Sequence, residues 1–195
     1  MKWKNKSNKS RNDCVGATAV PARTDTRPRE GKGMVEINLA VKKLQEKFPA
    51  SVSGVKTFRN EVNVTIQKKD IFEICKFLYS DPDLQYQMLT DLCGVDYFPE
   101  SPRFEVVYLL YSMKNQQRLR LKIKVGESES VSSVESIWKA ANWLEREVYD
   151  LFGITFDNHP DLRRILLWDG YEGHPLRKDF PVEGPDFDKP FVPDV

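Results

Sequence analysis

Three patterns in the amino-acid sequence predict an α+β fold: a two-layer domain of helices on a mixed sheet, with a long irregular C-terminal extension. Residues 104–112 (FEVVYLLYS) and 118–125 (RLRLKIKV) have the composition and alternation of strands joined by a polar turn, an antiparallel hairpin. Apolar residues at three- and four-residue spacing mark helices on either side, from Ile37 to Phe48 and from Val134 to Leu151. After Gly153 both periodicities lapse, and six of the twelve prolines fall in the last forty-three residues.

Taken in order, Ile37, Val41, Leu44 and Phe48 give one helical stripe, stopped by Pro49. Residues 52–67 alternate as two short strands with Val62, Val64 and Ile66 on one face and Arg59-Asn60 as the turn. Asp70 stands where an N-cap would begin a helix carrying Ile71, Ile74, Leu78 and Tyr79. Residues 89–97 read as a strand interrupted by Gly94. In the second strand of the hairpin, Leu119, Leu121, Ile123 and Val125 face a core. Arg118, Arg120, Lys122 and Lys124 then face water or an acidic neighbour. Ser132 and Glu135 match a capping box opening the longest helix, whose stripe is Val134, Ile137, Trp138, Ala141, Leu144, Val148 and Leu151. Gly153 is placed to end it in a left-handed cap. The domain so defined covers residues 34–152, followed by an extension over 153–195.

Residues 1–33 hold nine Lys/Arg against three Asp/Glu and almost no large apolar side chains, so a core is not expected there and disorder is. A solvated basic tail is the reading taken; a nucleic-acid or acidic-membrane arm is the alternative. Met34 also marks a second possible start of the chain. No apolar run approaches the length of a membrane span, and no apolar stretch follows the basic start as a secretory signal requires. Three cysteines, Cys14, Cys75 and Cys93, lack any Cys-x-x-Cys spacing. They cannot ligate an iron–sulfur cluster or a Cys-rich zinc site within this chain, and they favour a reducing compartment. Cys75 and Cys93 sit among apolar neighbours and read as core residues.

The extension is not composed like a disordered tail. Ile154, Phe156, Leu162, Ile165, Leu166, Leu167, Trp168, Tyr171, Leu176, Phe180, Phe187 and Phe191 are too many large apolar groups to leave in water. A small domain offers limited surface for them, so a strap laid on another protein is expected. Folding back over its own domain is the alternative.

Glu147, Asp150 and His159 could suggest an acid/base or metal cluster, but their spacing matches no ligand motif. Ion pairs at an exposed helix end suit these residues better. Arg146 and Asp150 are one turn apart, and Arg163-Arg164 can reach nearby carboxylates. His174, between Gly173 and Pro175, reads as a structural or interface histidine. Neither a Gly-x-Gly-x-x-Gly nor a P-loop pattern is present. Composition and spacing therefore describe an interaction module.

The run Glu145-Arg146-Glu147-Val148-Tyr149-Asp150-Leu151-Phe152-Gly153-Ile154 closely resembles the signature of the C subunit of respiratory complex I, the thirty-kilodalton subunit family of NADH:quinone oxidoreductase. The likeness continues through residues 159–166 (HPDLRRIL) and 173–181 (GHPLRKDFP), and it does not reach residues 1–33. It implies a non-catalytic structural subunit of the peripheral arm of a proton-translocating enzyme. FMN and Fe-S clusters would lie in partner subunits, with no cofactor in this chain. The implied neighbours are chiefly the D subunit, which holds the quinone site, and the cluster-bearing B subunit. No nucleic acid is implied, and membrane contact is only indirect, at the cytoplasmic face of a bacterial inner membrane. Related subunits serve membrane-bound hydrogenases and other quinone-reducing dehydrogenases. The partner interface is expected at Glu145, Arg146, Glu147, Asp150, His159, Arg163, Arg164, Trp168, His174, Arg177, Phe180, Phe187 and Phe191.

Overall fold

The computed structural model describes residues 32–59 and 61–182, with side chains from Leu39 onward. Most of the basic segment 1–33, and both Phe187 and Phe191, lie outside the described residues. Helix α1 (Lys32–Lys47) starts two residues before Met34 and lays Ala40 and Leu44 into the core. Strands β1 (Val52–Phe58) and β2 (Glu61–Ile66) form the expected pair, with Arg59 at φ 50° in the turn. A 3-10 turn at Lys68–Asp70 leads into α2 (Ile71–Ser80), whose Ile71, Ile74, Cys75 and Leu78 make one buried stripe. Asp70 holds the N-cap position but makes no side-chain cap bond; its carboxylate instead accepts the Ser51 hydroxyl.

Strands β3 (Met88–Asp96), β4 (Phe104–Ser112) and β5 (Gln117–Val125) complete a five-stranded mixed sheet of order β1-β2-β5-β4-β3. Only β2 and β5 run parallel; the other neighbours are antiparallel. Helices and apolar side chains fill one face of the sheet in a single cluster that includes Leu44, Val64, Ile74, Leu78, Tyr108, Leu121 and Ile123. The opposite face carries the cationic column of β5, paired in part with Glu61 and Glu105.

Three local expectations are corrected. Gly94 does not interrupt β3; it pairs with Val106, and the irregularity is a bulge between Leu89 and Asp91. A Cβ at Gly94 would stand 2.9 Å from the Phe152 ring, so the glycine admits the helix end against the strand. Cys93 is half-buried on the open sheet face rather than in the core. The long helix begins late. Ser132 belongs to β6 (Ser130–Ser132), turns occupy the next residues, and α3 runs Ala141–Phe152. Strand pairing wins over the capping box here, because β6 is held in a parallel ladder by β7 (Thr155–Asp157). Val134 and Trp138 nevertheless face the core as their spacing predicts.

Candidate functional site

The sequence Tyr-Asp-Leu-Phe-Gly-Ile ends α3 and turns the chain back on itself. Gly153 adopts φ 75°, ψ 24°, and its N–H bonds the Tyr149 carbonyl, as a left-handed C-cap does. Strand β7 follows directly, burying Ile154 and Phe156. This first stretch of the extension thus packs on its own domain, which corrects the expectation that it needs a foreign surface. A Cβ at Gly153 would lie 2.5 Å from both His174 Nε2 and Arg177 Nη2. Gly153→Ala is therefore expected to cost about 1–3 kcal/mol from backbone strain and crowding, read as faster amide exchange over residues 160–182 with α2 unchanged.

Asp150 is the main anchor. Its side chain is fully buried at the end of α3. Oδ2 accepts the N–H groups of Ile165, Leu166 and Leu167 at 2.8–3.0 Å, and Oδ1 takes Arg164 Nη1 at 2.7 Å. Burial alone would raise its pKa. The three amides and the guanidinium outweigh that, and the carboxyl titrates below its ordinary value. Arg146, expected to pair with Asp150, instead donates to the Arg163 and Arg164 carbonyls, each at 3.1 Å. An arginine at the same spacing thus braces the strap from its backbone side.

The second half of the strap is tied down by His174, Arg177 and Asp179. His174 Nδ1 lies 2.8 Å from the Asp150 carbonyl, which can only accept, so that nitrogen carries the proton. Burial, with Arg177 and Arg164 nearby, pushes its pKa down, so the ring is neutral at pH 7. Arg177 Nε donates to the Phe152 carbonyl at 2.6 Å. At the far end, Arg103 grips Asp96 with two bonds of 2.9–3.0 Å, reaches Glu127 at 2.8 Å and pairs with Asp179. The Lys178 N–H bonds Asp96 Oδ2 at 2.9 Å. No sequence pattern pointed to Arg103 or Asp96, and Asp179 stood inside the 173–181 run without a partner assigned, 76 residues from Arg103.

Glu145, expected at an exposed helix end, is fully buried, as is the His159 side chain. It lies four residues after Ala141 and three before Val148, on the inward stripe of α3; that spacing was the available signal. Its carboxylate accepts Ser133 Oγ at 2.6 Å and the Val134 N–H at 2.8 Å. His159 Nε2 stands 3.9 Å away but points its hydrogen at the Asn142 carbonyl, while Nδ1 accepts the Asp161 N–H. No cation among the described residues neutralises Glu145, and burial raises its pKa to about 7. The hydroxyl of Tyr108, whose ionisation Glu145 also disfavours, is buried with no partner among the described residues. Because the folded pKa exceeds the ordinary 4.5, the stabilisation from protonated Glu145 is complete below pH 4.5 and lost as pH rises through 7. Glu145→Gln keeps both hydrogen bonds without the charge. It is expected to stabilise the chain at pH 8 by up to about 3 kcal/mol and to change little at pH 4.5, by thermal denaturation at the two pH values.

What the anchored strap presents outward is apolar. Leu166, Trp168 and Leu176 are 62%, 57% and 51% exposed, although the backbone beside them is pinned from within. Tyr171 braces this ledge: its ring meets Trp168 edge-on at 4.7 Å and stacks on Phe180 at 6.3 Å. Of the residues expected at a partner interface, Glu147, Arg163 and Trp168 are exposed. Arg146, Arg164, His174, Arg177 and Phe180 are half-buried and hold the strap, while Glu145, Asp150 and His159 are interior. Leu166 and Leu176 are among the extension's apolar groups expected to need cover but not among the residues expected at the interface, because exposure of an individual leucine is set by tertiary packing. No group of three or more His, Cys, Asp or Glu suited to a metal ion occurs among the described residues. No helix among them is long and apolar enough to cross a membrane.

The fold defines a class of α+β domains with relatives among solved structures. A trypsin-resistant fragment of Nqo5 superimposes with a TM-score of 0.57 at 28% identity, over 65% of this chain and 99% of the fragment. A chain of an archaeal membrane-bound sulfane sulfur reductase shares the fold, with a TM-score of 0.62 at 23% identity over 74% of this chain and 85% of that one. The family model for the respiratory-chain NADH dehydrogenase 30 kDa subunit matches residues 64–186, and the chain belongs to that family. Among its relatives, the NADH-quinone oxidoreductase C subunit of Geobacter metallireducens is 58% identical over 154 residues, 78% of this chain and 94% of the relative. The C subunit of Geobacter sulfurreducens is 54% identical over 155 residues, again 78% and 94%.

Proposed function

We propose that this chain is a positional subunit of the peripheral arm of a proton-translocating NADH:quinone oxidoreductase. In this reading it carries no catalytic site of its own; FMN and iron–sulfur centres in partner chains move electrons from NADH to quinone. The domain over residues 34–152, with β7 packed on it, sits in the arm, and the strap beyond β7 turns its outer face to neighbours, chiefly the quinone-site D subunit and the cluster-bearing B subunit. The complex sits at the cytoplasmic face of a bacterial inner membrane, which this chain meets only through its partners.

The observation that carries the reading is the apolar ledge of Leu166, Trp168 and Leu176 on a strap fixed by Asp150. Water gains nothing from contact with such a surface, and a rigid, exposed aromatic anchor is the kind of group that dominates protein interfaces. Pinning it in advance lowers the ordering cost on association. The test is purification of the tagged chain at native expression. Co-recovery of large subunits with flavin and iron–sulfur absorbance, oxidising NADH with a quinone acceptor, is expected. Recovery of a lone monomer contradicts the proposal, and an assembly that oxidises another donor transfers the role to a related dehydrogenase.

A further inference from the structure

The sheet face turned away from the helices has its own pattern, which neither the core nor the strap uses. Strand register places its residues in rows. Lys56, Asn63, Arg120, Leu109 and Asp91 form one row; Gly54, Thr65, Lys122, Val107 and Cys93 form the next. Above and below them, Arg118 pairs across to Tyr111 and Met88, and Lys124 to Glu105 and Val95. Side chains on one face of a strand alternate, so β5 presents a column of four cations and β4 beside it a column of Tyr111, Leu109 and Val107. Val107 is buried yet stands outside the core cluster, which places it on this second face.

The charges do not cancel. Glu61 is shared by Arg118 at 3.6 Å and Arg120 at 2.8 Å, and Glu105 takes Lys122 at 2.7 Å. Lys56 and Lys124 meet no carboxylate within ion-pair distance among the described residues. We propose, building on the assignment to a multi-subunit arm, that this open face is a second docking surface, taking an acidic, partly apolar segment of a neighbouring subunit. The part-exposed Leu109 and Tyr111 and the exposed Met88 beside them ask for a side-chain partner, and the unmatched Lys56 and Lys124, both on the β1 side of that column, ask for carboxylates. A polyanion such as RNA or an anionic bilayer fits less well. Glu61, Glu105 and Asp91 interrupt the cations, so a chain of evenly spaced phosphates meets them, whereas a protein segment can set its few carboxylates opposite the lysines alone.

The test uses the intact assembly. Carbodiimide joins a lysine directly to a carboxylate in contact with it, and reductive methylation reports lysine access. In the purified complex Lys124 is expected to form zero-length links to Asp or Glu of another subunit. Lys122 and Lys124 should lose most of their methylation relative to the free chain, while Lys69 and Lys76 on the helical side serve as references. Lys124→Gln, which removes the cation without setting a carboxylate opposite Glu105, should leave the thermal midpoint of the free chain unchanged and lower recovery of the assembly. Full methylation of Lys122 and Lys124 in a chain that still co-purifies overturns this inference and leaves the proposed function standing. Links between two copies of this chain, or protection abolished by nuclease or delipidation, also overturn it. A chain that does not co-purify overturns both.

Discussion

Replacing Asp150 by Asn is expected to release the strap from α3. One buried carboxylate satisfies three consecutive backbone N–H groups and one guanidinium. An amide can present its oxygen to the three N–H groups or to Arg164, and in either pose its NH2 group then faces donors. Removing one partner of a buried ion pair costs about 3–5 kcal/mol. The strap can escape that penalty by undocking, so the loss is capped by its own docking free energy. The effect is therefore local: amide exchange over residues 160–182 accelerates strongly, and the β4–β5 hairpin is unaffected. The pH dependence has a definite sign. The folded carboxyl titrates below its ordinary value of 3.8, so its stabilisation is present above that pH and lost as pH falls through the lower folded value. In the Asn variant that acid-dependent step in strap protection is absent.

Arg103→Met is expected to be the other large change. The guanidinium is almost fully buried, spans Asp96, Glu127 and Asp179, and lies over the Phe98 and Phe104 rings at 5.0 Å each. Methionine keeps the packing stem and leaves the buried Asp96 without its cation, at a cost of about 3–5 kcal/mol in chemical denaturation at pH 7. Burial would raise the Asp96 pKa, but Arg103 and the Lys178 and Phe98 amides overcome this and lower it from 3.8 to about 2. Wild-type protein accordingly draws about 2 kcal/mol from this group above pH 4, lost as pH falls through 2. Without Arg103 only the two amides oppose burial, and the folded pKa rises from its wild-type value. The deficit of the variant should then shrink on acidification, because the wild-type protein loses the larger stabilisation. Exchange at residues 176–182 should rise too, because Asp179 loses its partner.

The elements whose logic is local were legible. Alternation in residues 104–125 gave the hairpin, and the buried stripe of α2 followed from Ile71, Ile74 and Leu78. Misreadings arose where a distant residue decides. Ser132 has the neighbours of an N-cap, yet a strand more than twenty residues later claims it. Gly94 has the look of a break, yet its missing Cβ makes room for Phe152. At the candidate site the motif from Glu145 to Ile154 was visible, but Glu145 and Asp150, two of its three carboxylates, looked alike. Their environments separate them. Glu145 points into the core with no cation and is pushed up to about 7, while Asp150 faces donors and is held down. The Arg103 cluster left no trace in local spacing, since its partners come from β3, from the loop after β5 and from the strap.

Hydroxyl-radical footprinting read by mass spectrometry, comparing the free chain with the intact respiratory assembly, is the most direct measurement. Trp168, Leu166 and Leu176 should be readily oxidised in the free chain and protected in the assembly, with exposed Tyr79 on α2 as an internal standard. Equal oxidation of the three side chains in both states would contradict the claim that the anchored strap is where this subunit meets its neighbours.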